Sequence, residues 1–469
     1  MSFSSSGPAA ASASSDDDFH LTHVLRAHTS DVRCVATTLD PLSGREALLS
    51  GSRDETAVLW SREQSPNAAF DKDASFHGHR FCSAVEFISP STSAGLPRGQ
   101  VLTGSLDAQI RCFDPLRPDK PLQLLSDHWD NVAVLKAHTA DEPVFISGSW
   151  DKTARVWVWD RTVAKWACRW VLRTHEQAVW GVEIIEPPTA TQSGKYLTAS
   201  ADLFIRLFHG DQLHTVYAGH TDVVRSLLLL PPLAPTDGAG SADPVLFPDE
   251  RLFASSSNDG TVRIWSLDAR RSPTQGNGGD AVRVLRGHTS LVYSLATYQD
   301  ASGSRLVSSG EDGTFRIWNP ICSRLLHTIA VPVVSVWAVA VLPASNDIVV
   351  GCSDGLVRVY SRQAARAEED SKMLGAPLSA GEAEAEAQKA AEVQRTLATR
   401  NTETSEQSTQ DGTHDAVLHI DIADDKPPLP LAVSRSHNWL QVASDFVALH
   451  ALPHSYIERI VEYIQLVFQ

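Results

Sequence analysis

The chain has 469 residues, 42% of them hydrophobic, and a formal net charge of −16. Such a balance argues against a nucleic-acid binder, which needs a basic surface, and no run of about 18 apolar residues is present to span a membrane. Six scattered cysteines without a C-x-x-C pair read as reduced intracellular thiols rather than a disulfide framework or a zinc site.

Residues 1–18, rich in Ser and Ala and ending in an Asp run, read as a disordered tail with no secretory signal. From residue 19 to 361 one pattern repeats seven times. An aspartate closes a Ser/Gly/Ala-rich stretch and an aromatic residue follows six positions later: Asp54/Trp60, Asp107/Phe113, Asp151/Trp157, Asp202/Phe208, Asp259/Trp265, Asp312/Trp318 and Asp354/Tyr360. Successive aspartates lie 42 to 57 residues apart. That period, with short alternating runs between turn residues, predicts an all-β, seven-bladed propeller. In the sixth repeat LVYSLATY, RLVSSG, TFRIWN and RLLHTIAV read as its four strands. A spare strand around His20–Leu25 is expected to complete the last blade and so remove two bare sheet edges. Pro231–Glu250 and Ala269–Asp280 are expected to be surface loops.

Each of the first six repeats also carries a histidine before its aspartate and a hydroxyl four residues before it. The complete sets are His28, Ser50, Asp54 and Trp60; His128, Ser147, Asp151 and Trp157; His220, Ser255, Asp259 and Trp265; and His288, Ser308, Asp312 and Trp318. A hydrolase needs its triad once, whereas this order recurs. It is expected to be a buried hydrogen-bond relay, each bond contributing about 1 kcal/mol net. Sets two and four have Phe in place of Trp, and set seven keeps only Asp354 and Tyr360, so the closing blade is expected to be the most weakly braced. GSRD, GSLD and GSWD read as tight turns. No P-loop, dinucleotide fingerprint, H-E-x-x-H or G-x-S-x-G is present, and no enzyme activity, cofactor or metal is expected.

Two positions per repeat are expected on one rim of the disc. Five residues past the histidine, or in repeats two and seven aligned from the downstream valine, stand Arg33, Ser83, Ala133, Trp180, Arg225, Tyr293 and Trp337; just before the aspartate stand Arg53, Leu106, Trp150, Ala201, Asn258, Glu311 and Ser353. Trp, Tyr and Arg dominate protein–protein hot spots, so Arg33, Arg53, Trp150, Trp180, Arg225, Tyr293, Glu311 and Trp337, with Asp31, are the candidate binding residues. The alternatives are a dry aromatic plug and, through Arg33, Arg53 and Arg225, a generic scaffold or substrate receptor gripping a degron or phosphopeptide.

Residues 362–414 hold strong helix formers without an apolar stripe and read as a solvated helix or polar linker, not a core element. From 415 to 469 periodicity returns. Val417–Ile422 alternates as a strand, Ser436 precedes a helix with Trp439, Val442, Ala443 and Phe446 on one face, and a second helix begins at His454-Ser455 with Ile457, Ile460, Val461 and Ile464.

HTSDVRCV, ISGSWDKTARVW and the histidine-free seventh repeat IAVPVVSVWAVAVLPASNDIVVGCSDGLVRVYS, together with AVLHIDIADDKPPLPLAVSRSHNWLQVASDFVALHALPHSYIERIVEYIQLVF, resemble the phospholipase A-2-activating protein family of Doa-type ubiquitin-binding adaptors. The resemblance implies a WD-repeat propeller followed by a PFU domain, here its second half only. It implies ubiquitin and ubiquitinated proteins as partners, a role in ubiquitin recycling and cargo sorting, and a cytoplasmic and nuclear location. The family's PUL domain, which docks on an AAA ATPase segregase, is not in the sequence, so that contact is expected to be indirect at most.

Overall fold

The computed structural model describes residues 19–362 apart from short gaps at 41–42, 65–67, 139–141, 190, 233–249, 269–277 and 302, then parts of 381–393, 416–433, 439–449 and 460–464. Seven four-stranded antiparallel sheets follow one another around a ring. The first blade pairs β2 (Val32–Leu39), β3 (Glu46–Ser52), β4 (Ala57–Arg62) and β5 (Asp71–Phe76) in chain order, and five more blades repeat the scheme. The seventh is made of β26 (Val336–Val341), β27 (Ile348–Cys352) and β28 (Leu356–Ser361), finished by β1 (His20–Arg26) from the other end of the propeller sequence. Leu21 faces Tyr360 and Arg26 faces Leu356 across that seam. The sixth blade uses the four strands expected. Both long inserts fall inside the fifth blade, and most of each lies outside the described residues.

The middle strands are buried on both faces, so the core consists of apolar layers between neighbouring blades. Leu49, Ala57 and Leu59 of the first blade, for example, meet Cys82, Val85 and Phe113 of the second. This packing explains the glycine of GSRD. Gly51 lies inside β3, not in the turn, and a Cβ there would come within 2.6 Å of Cys34 Sγ and 2.7 Å of Cys82 Sγ. The turn itself is centred on the aspartate. In all seven blades the next residue has positive φ: Glu55, Ala108, Lys152, Leu203, Gly260, Gly313 and Gly355. Glycine adopts that conformation freely and a bulky residue such as Leu203 does not.

Below the seam a buried ion set joins the first blade to the last. Arg62 donates through Nε and Nη2 to Glu46 Oε2, at 3.0 and 2.8 Å, and through Nη2 to Asp347. Glu46 Oε1 also accepts the backbone N–H groups of Ala344 and Ser345. Arg62 and Glu46 are fully buried.

Residues beyond 393 form a separate compact unit. A ribbon pairs β29 (Ala416–Ile420) with β30 (Leu429–Val433), and a helix spans Trp439–Leu449. Val433, Ala443, Phe446 and Val447 pack with Ile460 and Ile464. Residues 460, 461 and 464 are helical, while the start of the expected second helix and Ile457 lie outside the described residues.

Candidate binding rim

The repeated His, Asp and Ser residues are engaged with one another. In the first, third, fifth and sixth blades the imidazole Nδ1 stands 2.7–3.0 Å from the aspartate and Nε2 2.7–2.8 Å from the serine Oγ. The indole Nε1 donates to the same Oγ at 2.8–3.2 Å. A carboxylate only accepts and an indole only donates, so the protons run from Trp to Ser to His to Asp. With the serine oxygen and proton already committed and the histidine side chains about 1% exposed, none of these hydroxyls is placed as a nucleophile.

The second and fourth blades, which carry Phe in place of Trp, differ in how arginine engages the set. Arg111 takes both oxygens of Asp107, so His79 Nδ1 turns to the carbonyl of Glu55 at 3.2 Å. In the fourth blade Arg206 bonds both Asp202 and His175. The seventh blade has Asp354 held by Arg358 at 2.7 Å.

Burial raises the Asp151 and Asp312 carboxyls, but hydrogen bonds from His128 and His288 outweigh it and hold both down to about 2. Burial, followed by Arg62 and Arg111 respectively, lowers His23 and His79 to about 4. All four groups bind fewer protons folded than unfolded, so their contributions are full above the unfolded pKa and fade as pH falls. The histidines withdraw support between about pH 6.5 and 4, and the aspartates below about pH 4. Melting temperature should therefore decline steadily once pH drops below about 6.5. A flat profile from pH 7 to 4.5 would contradict neutral, buried imidazoles.

A second hydrogen bond recurs in every blade and brings the two rim positions together. The residue before the turn aspartate donates its backbone N–H to the carbonyl two residues before the other rim position: Arg53 to Asp31 at 3.0 Å, Leu106 to Phe81 at 3.1 Å, Trp150 to Asn131 at 2.9 Å, and likewise Ala201 to Ala178, Asn258 to Val223, Glu311 to Leu291 and Ser353 to Ser335. Both series thus stand at one end of the disc, as the spacing implied.

There they form an arc of stacked groups. Trp150 leans on Trp180 with ring centroids 5.3 Å apart. Arg225 lies over Trp180 at 4.3 Å and over Tyr293 at 5.5 Å. Tyr293 stacks on Trp337 at 4.5 Å, and Arg33 covers Trp337 at 3.6 Å. The arc runs through the third to seventh blades and into the first. Each member is partly exposed. Cation–π contacts of this kind contribute about 0.5–2 kcal/mol each and hold the arginines in place. Asp31 faces Arg53 at 3.7 Å, Arg225 Nε donates to Asn258, and Glu311 accepts from Ser290.

The repeat pattern passed over three exposed apolar residues on the loops beside this arc: Phe81, Val334 and Trp129, the last 69% exposed. The signal for Trp129 was present. It follows His128 directly, where the other five histidines are followed by Thr29, Arg80, Glu176, Thr221 and Thr289.

Residues 379–468 match the family described as PFU (PLAA family ubiquitin binding), and 19–61, 119–158, 210–266, 279–319 and 323–361 match the WD domain, G-beta repeat. The chain is 27% identical to the ubiquitin homeostasis protein lub1 of Schizosaccharomyces pombe, over 95% of this chain and 60% of that protein. It is 24% identical to the ubiquitin fusion degradation protein 3 homolog of Caenorhabditis elegans, over 95% of this chain and 46% of that protein. The chain therefore spans about half to three-fifths of these relatives. The crystal structure of the WD40 beta propeller domain of Doa1 superposes with a TM-score of 0.56 at 30% identity, covering 74% of this chain and 97% of that one. Repeat architecture, PFU match and relatives agree: this chain belongs to the phospholipase A-2-activating protein family of WD-repeat proteins.

Proposed function

We propose that this chain is a non-enzymatic ubiquitin receptor that serves ubiquitin-dependent protein turnover, and that the propeller rim is one of its ubiquitin-binding surfaces. The observation that carries the site is the continuous arc from Trp150 to Arg33, a preorganised aromatic and arginine surface at one end of the disc. Ubiquitin offers a compact apolar patch ringed by basic side chains. Trp180, Tyr293 and Trp337 supply apolar contact, Trp129 and Phe81 extend it outward, and Asp31 and Glu311 meet the basic ring. Arg33 and Arg225, held by the rings beneath them, orient the partner by hydrogen bonds. So few anchors imply a small interface and an affinity on the order of micromolar or weaker, with polyubiquitin gaining through avidity. The PFU-matched segment supports the same ligand. The prior engagement of Arg33, Arg53 and Arg225 by rings or polar neighbours favours this reading over phosphate recognition.

Asp31→Arg, and separately Trp180→Ala combined with Trp337→Ala, should weaken ubiquitin binding by the propeller at least about tenfold, the loss of one or two hot-spot anchors, while circular dichroism stays native. Calorimetric titration, with NMR to separate the rim from the C-terminal segment, checks it. Folded variants that bind ubiquitin through the rim as before would remove the site assignment.

A further inference from the structure

The last blade lacks the relay histidine, with Pro332 at the corresponding position, and has Val350 in place of the hydroxyl. Its arginine is nevertheless better covered than its counterparts. Four residues after the turn aspartate stand Arg111, Arg155, Arg206, Arg263 and Arg316 in blades two to six, with 10–14% of the side chain exposed. Arg358 of the seventh blade is only 2% exposed. The cover comes from residues 381–393, whose described positions are helical. Glu386 Oε2 accepts from Arg358 Nη2 at 3.1 Å and Glu386 Oε1 from Lys389 Nζ at 2.9 Å. Within that helix Glu386 and Ala390 are buried and Val393 is partly buried, whereas Gln388, Lys389, Ala391 and Glu392 are exposed. Spacings of four and three put Glu386, Ala390 and Val393 on one face. The expectation of a fully solvated segment is thus corrected: the inward stripe consists of a carboxylate, a small residue and a valine, which an apolar-periodicity reading does not register.

The geometry points to residues 381–393 as a latch in cis. Glu386 supplies the last blade's arginine with a partner from outside the repeats, where the fourth blade uses its own imidazole against Arg206. The PFU match begins at 379, yet residues up to 393 pack as one compact unit with the propeller. The latch therefore draws the head of the PFU-matched stretch onto the seventh blade. The occupant of the Arg358 seat is this segment of the same chain.

Hydrogen exchange of the full chain tests the latch without any ligand, so its outcome is separate from that of the ubiquitin-receptor reading. Glu386→Arg and Ala390→Arg leave every propeller residue intact and should each speed exchange at least about tenfold in 381–393 and measurably in 348–361, a local opening of low stability made dominant. Gln388→Arg adds charge on the exposed face and should leave both segments as they were. Unchanged exchange in Glu386→Arg and Ala390→Arg, or an equal acceleration in Gln388→Arg, overturns the latch.

Discussion

Replacing Arg62 with methionine is expected to destabilise the propeller by about 3–5 kcal/mol, the usual cost of breaking a buried ion set by removing one partner. Glu46 and Asp347 would remain buried beside each other without their shared cation. The loss falls at the seam, because Arg62 and Glu46 belong to the first blade and Asp347 to the last. Urea unfolding followed by tryptophan fluorescence should show an earlier midpoint. The triple change Arg62→Met, Glu46→Gln and Asp347→Asn should recover part of the loss, since the charge and not the volume is what goes uncompensated. A single variant as stable as the parent would show that the seam does not depend on this set.

The second large effect concerns the relay. Asp151 is wholly buried at its side chain and accepts four donors: His128 Nδ1 at 2.7 Å, Thr153 Oγ1 at 2.6 Å, Thr153 N at 2.9 Å and Trp129 N at 3.3 Å. Asp151→Ala leaves these groups without an acceptor, at about 1–3 kcal/mol for each one that stays buried. A total near 3–4 kcal/mol is expected after local rearrangement. Asp354→Ala makes the matching change in the seventh blade, where the side chain is 34% exposed and no histidine is present. Its cost should be smaller than that of Asp151→Ala, because the carboxylate is part-solvated and the buried Arg358 keeps Glu386 as a partner. Equal losses from the two substitutions would mean that burial of the relay is not what makes it matter. The same contrast separates scaffold from chemistry, because a catalytic set would matter once and not in proportion to its burial.

Much of this architecture was legible in the chain because a propeller writes its period into the sequence. The aspartate-to-aromatic spacing marked every third strand, and the surplus strand at His20–Leu25 forecast the seam with β28. The rim was legible for the same reason: counting from the histidine lands on Arg33, Trp180, Arg225 and Tyr293, aligning the seventh repeat on its valine adds Trp337, and the recurring backbone bond keeps those positions at one end. What the period does not encode was missed. Glu46, Arg62 and Asp347 belong to no repeat position, and Arg62 meets Asp347 across 285 residues of sequence. Trp129 breaks the pattern at a single place, where counting across repeats averages it away. Glu386 carries an inward face made of a carboxylate and small side chains, so hydrophobic periodicity gave no trace of it. The glycines of the GS pairs were read as turn formers, although their smallness serves the approach of the next blade.

The seam also sets a timetable. Thr22 bonds to the carbonyl of Val359, a contact spanning 337 positions. At about 5–20 residues per second of synthesis, β1 waits roughly 20 to 70 s for its neighbour to be made. Through that interval HLTHVLR is an unpaired strand edge open to any passing chain. Cellular yield of this protein should accordingly depend on how well a nascent-chain chaperone shelters this strand until β28 is made.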